Sequence, residues 1–212
     1  MNIKQTVKKI WRYPLCACYK SKLKYDRFTI ISSDCTGGVL YRDLGLPFLS
    51  PTINLTVPNS IDFFERLEHY LRLEPVPNGY SQEGYPLMLL EDLEIVGVHY
   101  RNHDALIGKW NERRKRVVWD RIIVMSNDKF ISTEADKERF SKLPYPKMLF
   151  SREKTGDSYV AHAPALAAGK DLTAYCDLLG RRYIGKYLDC VQFLNESVAQ
   201  AEKINRRENE KT

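Results

Sequence analysis

No stretch of the 212-residue sequence holds the roughly 18 consecutive apolar residues that a membrane-crossing helix needs. The start, MNIKQTVKKIWRYPLCACYK, is basic but has neither a continuous apolar region nor a cleavage site, which argues against a secretory signal. Cysteine is sparse and scattered: Cys16, Cys18, Cys35, Cys176 and Cys190 make an odd set with no disulfide framework. Cys16-Ala-Cys18 has no second Cys/His cluster at zinc spacing, so no metal site is expected. The expected compartment is a reducing cytoplasm. G-x-x-x-x-G-K-[ST], G-x-G-x-x-G, G-x-S-x-G and H-E-x-x-H are all missing. Their absence argues against an ATPase, a dinucleotide oxidoreductase, a serine hydrolase and a zinc protease, and no cofactor is expected. The aromatic signature of the common RNA-binding modules is missing too, as are internal repeats and low-complexity linkers.

What remains is an ordinary globular composition, 43% hydrophobic and 28% charged, in a chain long enough for one domain with a sizeable core. The net charge of +6 is unevenly placed. Residues 1–27 carry eight Lys and Arg against one acid, residues 28–108 carry four against eleven, and residues 109–121 carry six against two. Positive charge confined to an arm and one short segment favours local contact with anions, and no nucleic-acid partner is expected. Within the arm, Ile3, Val7, Ile10 and Trp11 share one face of a predicted helix over residues 2–12. That helix either packs on the domain or, through residues 2–24, touches an anionic membrane surface from the cytoplasmic side. Residues 19–27 read as an exposed connector.

The most site-like stretch is FTIISSDCTGGVLYRDLGLPFLSPTINL, residues 28–55. It predicts a buried strand over 28–32, a polar turn at Ser33-Asp34-Cys35-Thr36, a helix opened by Gly37-Gly38, and a stop at Gly45. A helix over 61–73 follows, then turn signals at Asn78-Gly79 and Glu83-Gly84. Strands are predicted over 86–90 and 93–100 around the turn Glu91-Asp92. Asn102 caps a predicted helix over 103–117, Thr133 with Asp136 caps another to about residue 143, and strands are predicted over 119–126, 147–151 and 159–162. Residues 163–175 read as irregular. The last predicted helix covers 181–203 with Tyr183, Tyr187, Val191 and Leu194 as its seam. Strands alternating with helices predict a layered α/β/α single domain with a mixed, largely parallel sheet. The expected organisation is a basic helix or arm over 1–24, the domain over 25–205 and a disordered tail over 206–212.

In an open α/β sheet, ligands bind at the carboxyl ends of the strands. Cys35 is the candidate nucleophile there, because a helix N-terminus favours thiolate; the alternative is a small buried hydrophobe. The N–H groups of Gly37 and Gly38 would hold an oxyanion or phosphate, unless the glycines merely serve the turn. His99 and Asp128, each at a predicted strand end, would complete a Cys–His–Asp arrangement, with His162 as a substitute for His99. Asp34 opposes thiolate formation by like charge and would instead bind a sugar hydroxyl. On the 103–117 helix, Leu106, Trp110, Arg113 and Val117 share a stripe. Trp110, Arg113 and Arg116 are candidate ligand-binding residues, the arginines for phosphate, if that stripe borders a cleft; otherwise Arg113 packs its stem and reaches solvent or a carboxylate.

Cys35, Gly37, Gly38, Tyr41, Leu44, Gly45, Leu46, Ser50, Pro51 and Thr52, with the helix Lys109-Trp110-Asn111-Glu112-Arg113-Arg114-Lys115-Arg116, resemble a bacterial family of exopolysaccharide biosynthesis proteins, a domain of unknown function. The strand ending at Asp128 and residues 183–195 match as well. Asp34 and Thr36 depart from that family, which often has Asn and an aromatic there. The resemblance implies a place in capsule or exopolysaccharide synthesis. The expected function is an acyl- or glycosyl-type transferase acting on a sugar-phosphate or lipid-linked saccharide, with Cys35 as nucleophile or substrate contact and His99 as base. The alternative is a non-catalytic binding or assembly protein of the same pathway, docking at the membrane face or on a glycosyltransferase.

Overall fold

The computed structural model describes residues 3–177 and 179–210. The chain opens with α1 (Ile3–Lys22), then β1 (Thr29–Ser32) and α2 (Thr36–Asp43). Next come α3 (Ser60–Glu65) and α4 (Leu67–Arg72). An excursion of β2 (Val76–Tyr80), β3 (Pro86–Leu90) and β4 (Leu93–Val96) leads into α5 (His103–Arg114). The second half runs β5 (Ile122–Asn127), α6 (Glu134–Lys142), β6 (Lys147–Ser151), β7 (Val160–His162), α7 (Ile184–Tyr187) and α8 (Cys190–Asn209).

The domain is the layered α/β unit that the alternation of elements predicts. Its main sheet has the order β1-β5-β6-β7, and every pairing in it is parallel. Both faces are covered, which is why these strands read as nearly unbroken apolar runs. Ile31, Ile122, Val124 and Leu149 face a cluster that includes Phe63, Phe64, Trp110 and Phe140. Ile30, Ile123, Met125, Met148 and Phe150 face the opposite cluster, with Leu40, Tyr41, Leu194 and Val198. The antiparallel component is a separate sheet of order β2-β3-β4 rather than an edge of the first. It is joined to the chain after α2 by the Thr56–Val96 bridge.

Several expected elements differ in extent. The predicted 2–12 helix is the start of a longer one, Ile3–Lys22, which takes in residues 19–22 of the expected connector; the side chains assigned to its apolar face (Ile3, Val7, Ile10, Trp11) lie outside the described residues. The predicted 61–73 helix breaks at Arg66, whose backbone (φ −111, ψ 30) leaves the helical region. The expected turn at Asn78-Gly79 lies inside β2, where Gly79 has φ +72 and the register shifts. The strand predicted over 93–100 ends at Val96, and the one predicted over 119–126 begins at Ile122 after a single 3-10 turn. The predicted 181–203 helix is instead the short α7 followed by α8, because Leu188 is extended and Asp189 Oδ1 accepts from Val191 and Gln192 N–H at 3.1 and 3.0 Å. α8 then runs to Asn209, through residues expected as tail.

Two contacts fix α2. At its start a Cβ on Gly37 would lie 2.9 Å from Ser32 Oγ and 3.1 Å from Ile30 Cγ2, so only glycine permits this approach to β1. At its end buried Asp43 accepts from Arg12 of α1 and from Arg182, whose Nε is 2.7 Å away. Gly37→Ala is therefore expected to cost about 1–3 kcal/mol of stability in urea unfolding. Gly108→Ala in α5, where an added Cβ meets nothing within 4 Å, should stabilise by about 0.5–1 kcal/mol. Equal effects of the two substitutions would contradict this packing.

Candidate functional site

The carboxyl ends of β1, β5 and β6 open onto a cavity of about 560 Å³. β1 delivers Asp34 and Cys35, β5 delivers Asn127, Asp128 and Lys129, and β6 delivers Arg152. His99 arrives from the turn after β4, and the loop 169–173 supplies Lys170, Asp171 and Thr173. Thus Cys35, His99, Asp128 and Asp34, each placed at a strand end or turn from sequence, line one cavity. His162 is absent from its lining.

The strand ends are tied to one another. Ser33 and Ser126 hydroxyls are 2.9 Å apart in the interior. Asp34 Oδ1 accepts from Thr36 N–H at 2.8 Å in an Asx turn, and Oδ2 accepts from Asn127 Nδ2 at 3.0 Å. Asn127 Oδ1 in turn accepts from Lys129 N–H at 3.0 Å. Asp128, buried, accepts through Oδ2 from Arg152 N–H at 2.7 Å and from Arg152 Nε at 3.0 Å. It therefore positions Arg152 at the rim. No hydrogen bond joins Cys35, His99 and Asp128 to one another among the described residues.

Electrostatics set the protonation of the turn. Burial first, then the charges of Asp34 and Asp171, push the Cys35 thiol up to about 12. The pull of the α2 N-terminus, which favours thiolate, is outweighed, so Cys35 faces the cavity as a neutral S–H. Burial also pushes the Asp34 carboxyl up, aided by Asp171 and opposed by its bonds to Thr36 and the charge of Lys129. The Gly37 N–H, expected to serve as an anion donor, is already given to Ser32 Oγ at 3.2 Å.

The helix residues proposed as ligand contacts lie elsewhere. Trp110 is 1% exposed and packs in the core against Phe63, with ring centroids 6.3 Å apart, because its stripe faces the antiparallel sheet rather than a cleft. Arg116 pairs with Glu112 on the exposed side of the chain. Arg113 lies over the Phe48 ring at 5.5 Å and donates to Tyr100 Oη at 2.6 Å and to the Ile53 carbonyl at 3.2 Å. It fastens the turn that carries His99 but does not line the cavity. The cations that do are Lys129, Arg152 and Lys170, and the further acid is Asp171. Arg152 directly follows the strand predicted over 147–151, and Lys129 is the neighbour of Asp128 in the turn after the strand predicted over 119–126, the same signal that singled out Asp128. Residues 169–173 carry no local signal.

With a thiol held this high, iodoacetamide at pH 7.5 is expected to modify exposed Cys18 well before Cys35. Cys35 alkylation should rise about tenfold per pH unit between pH 8 and 10, as the thiolate fraction does. Peptide mass spectrometry reads both rates, and Cys35 labelling at the rate of Cys18 at pH 7.5 would contradict the protonation assigned here.

Comparison with known proteins adds a family. An uncharacterised protein of Haemophilus influenzae is 30% identical over 155 residues, 72% of this chain and 75% of the relative. The family described as a domain of unknown function, DUF1919, matches residues 6–195, a span that contains every residue lining the cavity. The chain belongs to the DUF1919 family.

Proposed function

We propose that the chain is a glycosyl-type transferase of exopolysaccharide or capsule synthesis whose cavity takes a sugar phosphate. The observation that carries the reading is the juxtaposition, at the carboxyl edge of a parallel sheet, of one imidazole, three carboxyl groups and three cations. Carboxylates suit sugar hydroxyls, and Lys129, Lys170 and Arg152 suit the phosphate. His99, exposed at the rim, accepts the proton of an acceptor hydroxyl. The acceptor oxygen then bonds to the anomeric carbon, and the carbon–oxygen bond to phosphate breaks. The departing phosphate keeps the electron pair, with its charge held by the cations. Cys35 serves as a neutral contact rather than as nucleophile. The pathway in this reading rests on the resemblance of the Cys35 turn and its flanks to exopolysaccharide proteins.

A second reading, a protein that holds the saccharide for a partner glycosyltransferase or docks at the membrane face, is favoured by the lack, among the described residues, of any hydrogen bond that would orient His99 as a base. Isothermal titration with a sugar 1-phosphate separates the two. The substitution pair Lys129→Ala and Lys170→Ala should weaken binding about 10- to 100-fold. His99→Ala should leave affinity within about twofold while lowering transfer to an added saccharide acceptor by about 10²–10⁴-fold. Binding without transfer by the unaltered chain supports the second reading. Unchanged affinity in the double lysine variant contradicts both.

A further inference from the structure

The opposite end of α2 carries a feature that the Cys35 cavity does not use. A second cavity, of about 450 Å³, lies between α1 and the carboxyl end of α2. Its walls include Arg12, Lys20, Arg42 and Arg182, against Asp43 as the one carboxylate among the described residues. Arg12 and Arg182 are 7% and 6% exposed and both bind Asp43, while their guanidinium groups lie over the Tyr175 ring at 5.8 and 4.4 Å. Lys20 and Arg42 stand at the rim. Lys20 Nζ reaches only the Gly45 carbonyl, at 3.4 Å, and Arg42 has no ion pair among the described residues.

Two buried guanidiniums on one carboxylate leave a positive charge in a half-dry setting, where an uncompensated charge is costly. The carboxyl end of a helix offsets about half an elementary charge, well short of the excess carried by four cations over Asp43. Exposed Tyr13 also lines this space, and the arm that forms one wall is the most basic part of the sequence.

We propose that this cavity is a second, phosphate-binding site, in which Lys20 and Arg42 close on a phosphate group against the Arg12–Asp43–Arg182 cluster. Guanidinium forks match phosphate oxygens in pairs, and an exposed lysine adds a point charge. The phosphate is that of an anionic lipid headgroup or of a small free phosphate compound. The site is independent of the reading of the Cys35 cavity.

The test uses the full chain carrying Lys129→Ala and Lys170→Ala, so that the Cys35 cavity does not contribute, with and without Lys20→Ala and Arg42→Ala. Both added substitutions are on exposed side chains that leave the buried cluster intact, and an unchanged far-ultraviolet circular dichroism spectrum verifies folding. Inorganic phosphate is titrated at constant ionic strength. In parallel, flotation is measured with phosphatidylglycerol–phosphatidylcholine vesicles and with pure phosphatidylcholine vesicles. The expected result is binding in at least one arm that falls about tenfold or more when Lys20 and Arg42 are replaced. Loss confined to the phosphatidylglycerol vesicles assigns the site to a lipid headgroup, and loss confined to inorganic phosphate assigns it to a free phosphate. No binding in either arm, or equal binding with and without the two substitutions, overturns the proposal.

Discussion

Ile31 lies opposite Val124 and Ser32 opposite Met125 in a parallel pairing of distant chain segments, and the candidate site exists only where that pairing ends. The next residues along, Ser33 and Ser126, are 93 positions apart in sequence and hydrogen-bonded in the interior. Beyond them the two strands can no longer pair, and Asp34 and Asn127 turn toward each other. A parallel sheet buried on both faces leaves its chemistry to its edges. β6 continues the same logic: Ser151 ends the strand, and Arg152 is taken by Asp128. The antiparallel sheet reaches the same edge through the Thr56–Val96 bridge, which sets the turn bearing His99 over it. Arg113 then pins that turn through Tyr100 and Ile53.

α2 connects this edge to the rest of the chain. Its first turn presses on β1 where Gly37 has no side chain, and its last residue, Asp43, gathers Arg12 and Arg182. Arg182 also donates to the Thr173 carbonyl, at the end of the loop that lines the Cys35 cavity, and Arg12 donates to the Gly180 carbonyl. One buried carboxylate thus anchors the amino-terminal helix and the segment running from the cavity to α7. Its removal would leave two buried positive charges unopposed, a strongly destabilising change.

The elements with strong local signals were legible. β1, its turn and α2, the β3–β4 hairpin, and the caps of α5 and α6 by Asn102 and Thr133 follow from residue type and spacing. Cys35, His99 and Asp128 could be gathered at one edge because each ends a strand or begins a turn. Long-range choices were not legible. The stripe holding Trp110 and Arg113 fits a cleft or a core equally well until the antiparallel sheet is placed against it. The seam Tyr183–Tyr187–Val191–Leu194 continues at helical spacing across a break that Asp189 makes by capping α8. Electrostatics were half legible: the opposition of Asp34 to a thiolate is visible from adjacency, but the larger effect of burial, and Asp171 across the cavity, needed the fold.

The central claim is that the cavity at the carboxyl edge of the parallel sheet is the ligand site of this chain, proposed above to take a sugar phosphate. Amide chemical-shift mapping on isotope-labelled protein during titration with a sugar 1-phosphate tests it most directly. The account predicts that the largest shifts fall on residues 34–38, 127–130, 152 and 169–173, with the turn at 97–100 moving with them. Largest shifts on the opposite edge of the sheet, or no shift at saturating ligand, would contradict it.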